Sequence, residues 1–419
     1  MNIAMFTNTY LPMVGGVPIS VDRFATTFRT WGHRVLIVAP EYEGHAEREA
    51  GVVRVPAIQK FNGSDFSMML PAPPGLASAL DDFGPEILHA HHPFLIGNTA
   101  LREAAARKLP IVFTHHTMWE HYTHYVPINT ATLRRYVINL STGFANLCDG
   151  VIAPSESVEH ILRERGVIAP ISVVPTGVDL VQYQSGDGAR FRRRHDIPAD
   201  TFVVGTVGRL APEKNMDFLA RAAAEALALI GRGRFVVIGS GPSGPGIEAV
   251  FEGQGVRHRL IMTGTLSGRE LVDAYAAMDV FAFASKTETQ GMVLVEALAA
   301  GTPAVGLAAP GVCEVIEDGV NGRLLAEENE QHFAKAIEWV AELPLWRRRK
   351  LTAACRRSAA KFSREECAGR TLDVYKQAIA AGPQAIDLEQ SDLPLLLRKL
   401  RREWELLATH ARAIVKSVT

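Results

Sequence analysis

Short apolar runs alternate with helix-length amphipathic stretches along nearly the whole chain, and this alternation leaves few folds open. In the first half the strand candidates are 3–7, 34–39, 87–89, 111–114, 150–153 and 171–174, with helical stretches such as 18–32 and 99–108 between them. Strands separated by helices imply a parallel sheet covered on both faces. The pattern pauses over 182–200, which is polar and basic and contains Gly186, Gly188 and the run Arg192 to Arg194. That composition reads as a linker with a short helix. A second series follows at 202–208, 234–239, 260–264, 280–284 and 303–306. The expected fold is α/β, with two doubly wound domains facing each other across a cleft at 1–188 and 189–365. A helix at 366–385 is expected to cross back to the first domain, and 386–419 to form a helical extension. A chain of 419 residues is long enough for two separate cores.

Bulk properties narrow the function classes. The net charge is −1, so nothing global calls for a nucleic-acid partner, and any anionic surface must be met by a local patch. No apolar run approaches the roughly 20 residues that span a bilayer. The first residues read as a core strand and not as a signal peptide. Cys148, Cys313, Cys355 and Cys367 are scattered, with no C-x-x-C pair, so neither a disulfide framework nor a zinc knuckle is expected. A cytoplasmic protein with reduced thiols follows.

In doubly wound sheets ligands bind beyond the carboxyl ends of the strands, so the loops after the strands carry the chemistry. One such loop opens Ser285-Lys-Thr-Glu-Thr-Gln-Gly-Met-Val-Leu-Val-Glu296. Glu288 lies in the loop, and a helix starting near Gly291 carries Glu296 about a turn and a half inside it. The N–H groups of Gln290, Gly291 and Met292 form a helix N-terminus suited to phosphate. A carboxylate on either side can take neutral hydroxyls, one set from a hexose and one from a ribose. Two acids flanking a phosphate site suit a nucleotide sugar; the alternative is a pair of solvated surface acids.

This strand–loop–helix, with seven residues between its glutamates, resembles the signature of the family 4 retaining glycosyltransferases. The resemblance implies that Glu288 contacts the donor sugar's hydroxyls and Glu296 the ribose. It also implies the GT-B arrangement of two Rossmann-like domains, and it extends over the chain through about residue 380.

Three further loops match the same family. Gly208-Arg-Leu-Ala-Pro-Glu-Lys-Asn215 follows a strand, where Arg209 and Lys214 could neutralise a leaving diphosphate or merely begin a helix. The family places the Arg and Lys of this pattern on the diphosphate. Tyr10-Leu-Pro-Met-Val-Gly-Gly-Val17 offers Gly15 and Gly16, which let backbone approach a ligand or make a tight turn; the family uses this loop against the donor phosphate and sugar. Thr114-His-His-Thr117 ends a strand, and alignment on Thr-x-His-Thr selects His116 as the family's histidine near the reacting centre and the acceptor. His116, Glu288, Arg209 and Lys214 are therefore the expected catalytic set.

Gly239-Ser-Gly-Pro-Ser-Gly244 matches G-x-G-x-x-G, yet Pro242 and Pro245 each remove a backbone donor that pyrophosphate would need. An NAD site is not expected. In the family a Gly-x-Gly-Pro loop here lines the nucleotide pocket, which implicates Gly239 and Gly241. No D-x-D triplet occurs, so no obligatory divalent metal or other cofactor is expected.

Within the family, His91-His-Pro-Phe-Leu-Ile-Gly97 and Thr117-Met-Trp-Glu-His-Tyr-Thr-His-Tyr125 resemble segments of bacterial glucosyltransferases acting on diacylglycerol. The implied partners are UDP-glucose, a lipid acceptor and the inner face of the cytoplasmic membrane. Trp119, Tyr122 and Tyr125 would suit a membrane interface, or a lid packed on its own domain. A helix over 392–418 carries one apolar stripe and many cations, which suits an anionic membrane or a homodimer equally. The alternatives are a soluble or polyprenyl-linked glycan acceptor, a nucleotide-sugar epimerase and a non-catalytic nucleotide-sugar sensor.

Overall fold

The computed structural model describes residues 1–13, 15–42, 49–58, 68–69, 75–120 and 131–383. Contacts divide the chain into two compact units, Met1–Gly177 with the chain from Arg364 onward, and Val178–Ser363.

The first unit is built on β1 (Asn2–Phe6), β2 (Arg34–Pro40) and β3 (Val52–Val55), a small antiparallel pair β4 (Ala57–Ile58) and β5 (Met68–Met69), then β6 (Ile87–Ala90), β7 (Ile111–Thr114), β8 (Gly150–Ala153) and β9 (Ile171–Val173). The seven-stranded parallel sheet runs β3-β2-β1-β6-β7-β8-β9. Successive side chains of β1 serve opposite faces, as a strand's period of two requires. Ile3 and Met5 meet Val21, Phe24 and Phe28 of helix Gly16–Thr30, together with Cys367, Leu372 and Tyr375 of helix Arg364–Ala381. Ala4 and Phe6 meet Leu80, Ala100, Leu101 and Phe144 on the other face. Burial on both faces is why these strands read as continuous apolar runs.

The second unit holds β10 (Phe202–Val207), β11 (Gly233–Ile238), β12 (Leu260–Gly264), β13 (Val280–Phe283), β14 (Ala304–Leu307) and β15 (Gly322–Leu325), all parallel, in the order β12-β11-β10-β13-β14-β15. Helices Met216–Ile230 and Glu330–Glu342 cover one face. Helices Gly268–Ala277, Met292–Ala300 and Leu345–Ala360 cover the other.

Two edge strands escaped the sequence reading. β3 is half-buried and interrupted by Arg54, which breaks its apolar run. β15 opens on Gly322, where a Cβ would stand 1.9 Å from the Ala304 carbonyl oxygen, so close strand approach demands glycine. The polar stretch from 182 to 200 holds the expected short helix, Gly188–Arg194, but it packs on the second unit where its composition suggests a linker, and that unit begins at Val178 rather than after 188. Gly186 and Gly188 pack on helix Gly268–Ala277, where an added Cβ would lie 2.7 and 2.3 Å from Ala276 atoms. Arg190 pairs with Asp273 and Arg192 with Asp279. Those glycines and arginines serve packing. The chain enters and leaves this unit side by side, Val178 N–H donating to the Phe362 carbonyl at 2.9 Å.

Among the described residues no helix is long and apolar enough to cross a membrane. Tyr122, Tyr125 and the expected helix at 392–418 lie outside the described residues, as does the whole 386–419 extension.

Candidate functional site

The strand order of the second sheet reverses between β10 and β13, and open α/β sheets bind ligands at such a switch point. The loops that follow these two strands hold Arg209, Lys214, Glu288 and Gln290. Lys214 ends a short 3-10 turn, Pro212–Lys214, and its Nζ lies 2.5 Å from Glu288 Oε1. Arg209 pairs with the carboxylate of Glu213, which is nearly buried. The Ser285 and Thr287 hydroxyls reach the Glu213 carbonyl at 3.5 and 3.4 Å, tying the two loops together. The cations and carboxylates thus form one cluster on adjacent strand ends.

Helix Met292–Ala300 starts beside this cluster. Gly291 caps it with φ +68°, a left-handed conformation that glycine adopts without penalty. Gln290 is buried, and a Cβ on Gly311 would lie 2.6 Å from its backbone N. Glu296 is 6% exposed, and its Oε2 accepts a hydrogen bond from the Tyr275 hydroxyl at 3.0 Å. Sequence reasoning did not single out Glu213 or Tyr275. Glu213 sits inside the quoted Gly-Arg-Leu motif, whereas Tyr275 reads as one apolar residue of a helix.

Gly239 and Gly241 hold the Arg209 loop from behind. A Cβ at Gly239 would lie 1.9 Å from the Gly208 carbonyl oxygen, and one at Gly241 2.4 Å from that of Leu210. Leu210 N–H donates to Ser240 O at 3.0 Å and Ser243 N–H to Leu210 O at 2.8 Å. The motif's glycines therefore permit loop-on-loop packing under Arg209.

The first sheet reverses between β1 and β6, and histidines collect there. His116 Nε2 lies 2.8 Å from His91 Nδ1 with the rings stacked, so one imidazole donates and the other accepts. Burial lowers His116 to about 3 and His91 well below its usual range, leaving both neutral near pH 7. His115 is the core histidine of the pair: it packs edge-on to Phe113, and neither ring nitrogen has a hydrogen-bond partner. His89 bridges the Tyr375 hydroxyl (2.6 Å) and Thr114 Oγ1 (2.7 Å). His92 Nδ1 accepts from the Asn8 N–H at 3.1 Å.

Asn8 then staples the segment after β6, donating to Phe94 O at 3.2 Å and accepting from Ile96 N–H at 3.3 Å. Gly97 closes this turn because a Cβ there would lie 2.0 Å from the His92 carbonyl oxygen. Trp119 packs on Phe94 and His92 at ring distances of 5.3 and 5.6 Å, Met118 is buried, and Glu120 pairs with Arg165. The described parts of the two segments that share the diacylglycerol-enzyme likeness, 91–97 and 117–120, are thus one packed group. Gly15 has extended backbone at the start of helix Gly16–Thr30, and among the described residues its Cβ would meet only Pro18, at 3.7 Å. The described residues around Gly15 leave room for a side chain, and packing against them does not explain the glycine.

Residues 14–182 match the family described as Glycosyltransferase Family 4, and residues 187–362 match Glycosyl transferases group 1. The alpha-monoglucosyldiacylglycerol synthase of Streptococcus pneumoniae is 29% identical over 339 residues, covering 79% of this chain and 76% of that protein. The GDP-mannose-dependent alpha-mannosyltransferase of Mycobacterium tuberculosis is 30% identical over 366 residues, covering 85% and 91%. Among solved structures, Anabaena Alr3699/HepE in complex with UDP superposes with a TM-score of 0.72 at 20% identity, covering 90% of this chain and 100% of that one. That likeness is one of fold, GT-B with two parallel-sheet Rossmann-like domains.

Proposed function

The chain belongs to glycosyltransferase family 4 and is a hexosyltransferase, and from that premise we propose that it transfers glucose from UDP-glucose to a diacylglycerol-type lipid with retention at the anomeric carbon. The observation that carries the donor half is the Lys214–Glu288 pair on the switch point of the second sheet, beside the helix N-terminus at Gly291. An arriving diphosphate takes over Lys214 and Arg209 as charge-assisted donors, and the N-terminal amides of the helix add to them. Glu288, released from Lys214, then accepts from the sugar hydroxyls. Glu296, held by Tyr275, serves the ribose, and the family likeness assigns the loop of Gly15 and Gly16 to the donor phosphate and sugar.

In this reading the acceptor hydroxyl oxygen bonds to the anomeric carbon as the bond to the leaving diphosphate breaks on the same face. The hydroxyl proton passes to the leaving diphosphate oxygen. Glu288 orients the sugar and forms no covalent intermediate. Arg209 and Lys214 stabilise the charge that develops on the diphosphate, so the reading requires no metal. His116, neutral and set by His91, receives the acceptor hydroxyl.

The lipid acceptor is supported by the pneumococcal relative, whose name specifies a glucosyldiacylglycerol, and by the packed His91–Gly97 and Thr117–Glu120 group. The mannosyltransferase relative favours a second reading of the donor, GDP-mannose. The test presents diacylglycerol in mixed micelles with UDP-glucose, UDP-galactose or GDP-mannose and detects products by mass spectrometry. Hexosyl-diacylglycerol from UDP-glucose is expected. Product from GDP-mannose alone would overturn the donor, and an elongated oligosaccharide with no lipid product would overturn the acceptor. Isomerised donor formed without any acceptor would instead indicate an epimerase.

A further inference from the structure

We infer that the outward face of helix Leu345–Ala360, in the second unit, is a docking surface for an anionic lipid bilayer. The stretch from 345 to 363 contains seven basic residues and no acidic one, in a chain whose net charge is −1. Leu351, Ala354, Cys355 and Ala359 turn inward to the core, and Arg348 folds back to the Ala341 and Leu343 carbonyls. What remains outside is Trp346, Arg349, Lys350, Ala353, Arg356 and Arg357, which fall within one broad arc of the helix at 100° per residue. Trp346 is 62% exposed and its neighbour Leu345 65% exposed, so the large apolar pair sits at one end of the cationic face.

Two observations separate this face from an ordinary solvated helix. Cations are unfavourable in the first turn of a helix, where the backbone amides already present positive charge, yet Arg347 and Arg348 stand in this one and no acid in that turn offsets them. Moreover, no ion pair of the described residues engages Arg347, Arg349, Lys350, Arg356 or Arg357; Arg347 lies over the Trp346 ring instead, at 5.1 Å. The helix thus concentrates charge in a manner that costs it stability, beside an indole and a leucine left in water. A surface that is anionic, flat and apolar just beneath satisfies both halves: phosphates take the guanidinium groups, while Trp346 and Leu345 enter the headgroup boundary.

This inference deepens the lipid-acceptor reading but its test does not depend on that reading, because the vesicles used contain no diacylglycerol. Full-length protein is sedimented with vesicles of phosphatidylglycerol and phosphatidylcholine, and with vesicles of phosphatidylcholine alone. The variants are the quadruple R349Q/K350Q/R356Q/R357Q and the single Trp346→Ser. Binding to the anionic vesicles is expected to fall on the order of 10³-fold in the quadruple variant, at the usual gain per basic residue near an anionic surface, and severalfold in Trp346→Ser. Raised salt should weaken wild-type binding in parallel. Thermal melting of the quadruple variant should stay within a few degrees of wild type, since all four side chains are exposed, Arg357 loses only a favourable place in the last turn, and Arg356 loses one long contact to the Ala300 carbonyl at 3.5 Å; this excludes misfolding as the cause. Wild-type binding that is equal on both vesicle types, or variants that bind like wild type, would overturn the inference. So would a change from dimer to monomer in the variants without loss of vesicle binding, which would make the face an interface between copies. Failure of the acceptor screen with vesicle binding intact would leave this surface standing and remove only the diacylglycerol assignment.

Discussion

Replacing Gly241 with alanine tests whether the loop under Arg209 is a rigid platform. Gly241 has φ +152°, and a Cβ there would lie 2.4 Å from the Leu210 carbonyl oxygen and 2.9 Å from its carbon, where ordinary contact begins at 3.4 Å. The chain has two responses. If the loops hold, the variant suffers a strained backbone of about 1–3 kcal/mol and weakens two backbone hydrogen bonds, Leu210 to Ser240 and Ser243 to Leu210, at about 1 kcal/mol each. A loss of about 3 kcal/mol lowers Tm by roughly 6–12 °C in a unit of this size. If the loop yields instead, Arg209 moves by about 1 Å, and misplacement of that order near a reacting group costs about 10²-fold in kcat/KM. Scanning fluorimetry and donor turnover, measured on the same preparation, distinguish the two responses. The control is Gly253→Ala in helix Gly244–Gly253, where an added Cβ meets nothing within 4 Å and both quantities should stay near wild type. A Gly241→Ala protein with wild-type Tm and wild-type turnover would refute the platform.

Tyr275→Phe removes the hydroxyl that donates to buried Glu296 and should cost about 1–3 kcal/mol of stability while raising KM for the donor more than it lowers kcat, read from melting and steady-state kinetics. Burial holds His89, His92, His115 and His116 at about 3 in the folded chain, below the ordinary 6.5 that they regain on unfolding. The unfolded chain therefore binds more protons in that interval: this contribution to stability is complete above about pH 6.5 and is lost as pH falls toward about 3. His115→Leu removes one such group with no hydrogen bond to lose, so the drop in Tm between about pH 7.5 and about pH 5 should shrink, by the equivalent of about 2 kcal/mol. An undiminished drop would show that His115 takes no part. Transfer should persist in EDTA because Arg209 and Lys214 carry the diphosphate charge; full loss on chelation with recovery in manganese would contradict that assignment.

The sheets were legible because parallel strands buried on both faces read as apolar runs, whereas the strand orders, and with them the two switch points, belong to the fold. β3 and β15 were not, since an edge strand is half-exposed and can carry an arginine or open on a glycine. The loops of the donor cluster were found by motif, but their pairings were not. Lys214 and Glu288 are 74 residues apart, and His91 and His116 are 25 apart, so no local periodicity records either contact. Gly186 and Gly188 suggested a flexible linker because a glycine needed for close packing looks the same in sequence as one needed for freedom. The choice of His116 over His115 came from motif alignment; that one ring faces His91 while the other packs on Phe113 is a property of the fold that the sequence does not record.

The most direct test of the central claim is the rate of hexosyl-lipid formation by Glu288→Ala, measured by mass spectrometry with UDP-glucose and diacylglycerol in mixed micelles. Glu288 is the carboxylate that Lys214 holds at the switch point, and the account has it orient the sugar in the transition state. A loss on the order of 10²-fold or more in kcat is predicted, with folding and UDP binding retained. Turnover near the wild-type rate in that variant would contradict the account.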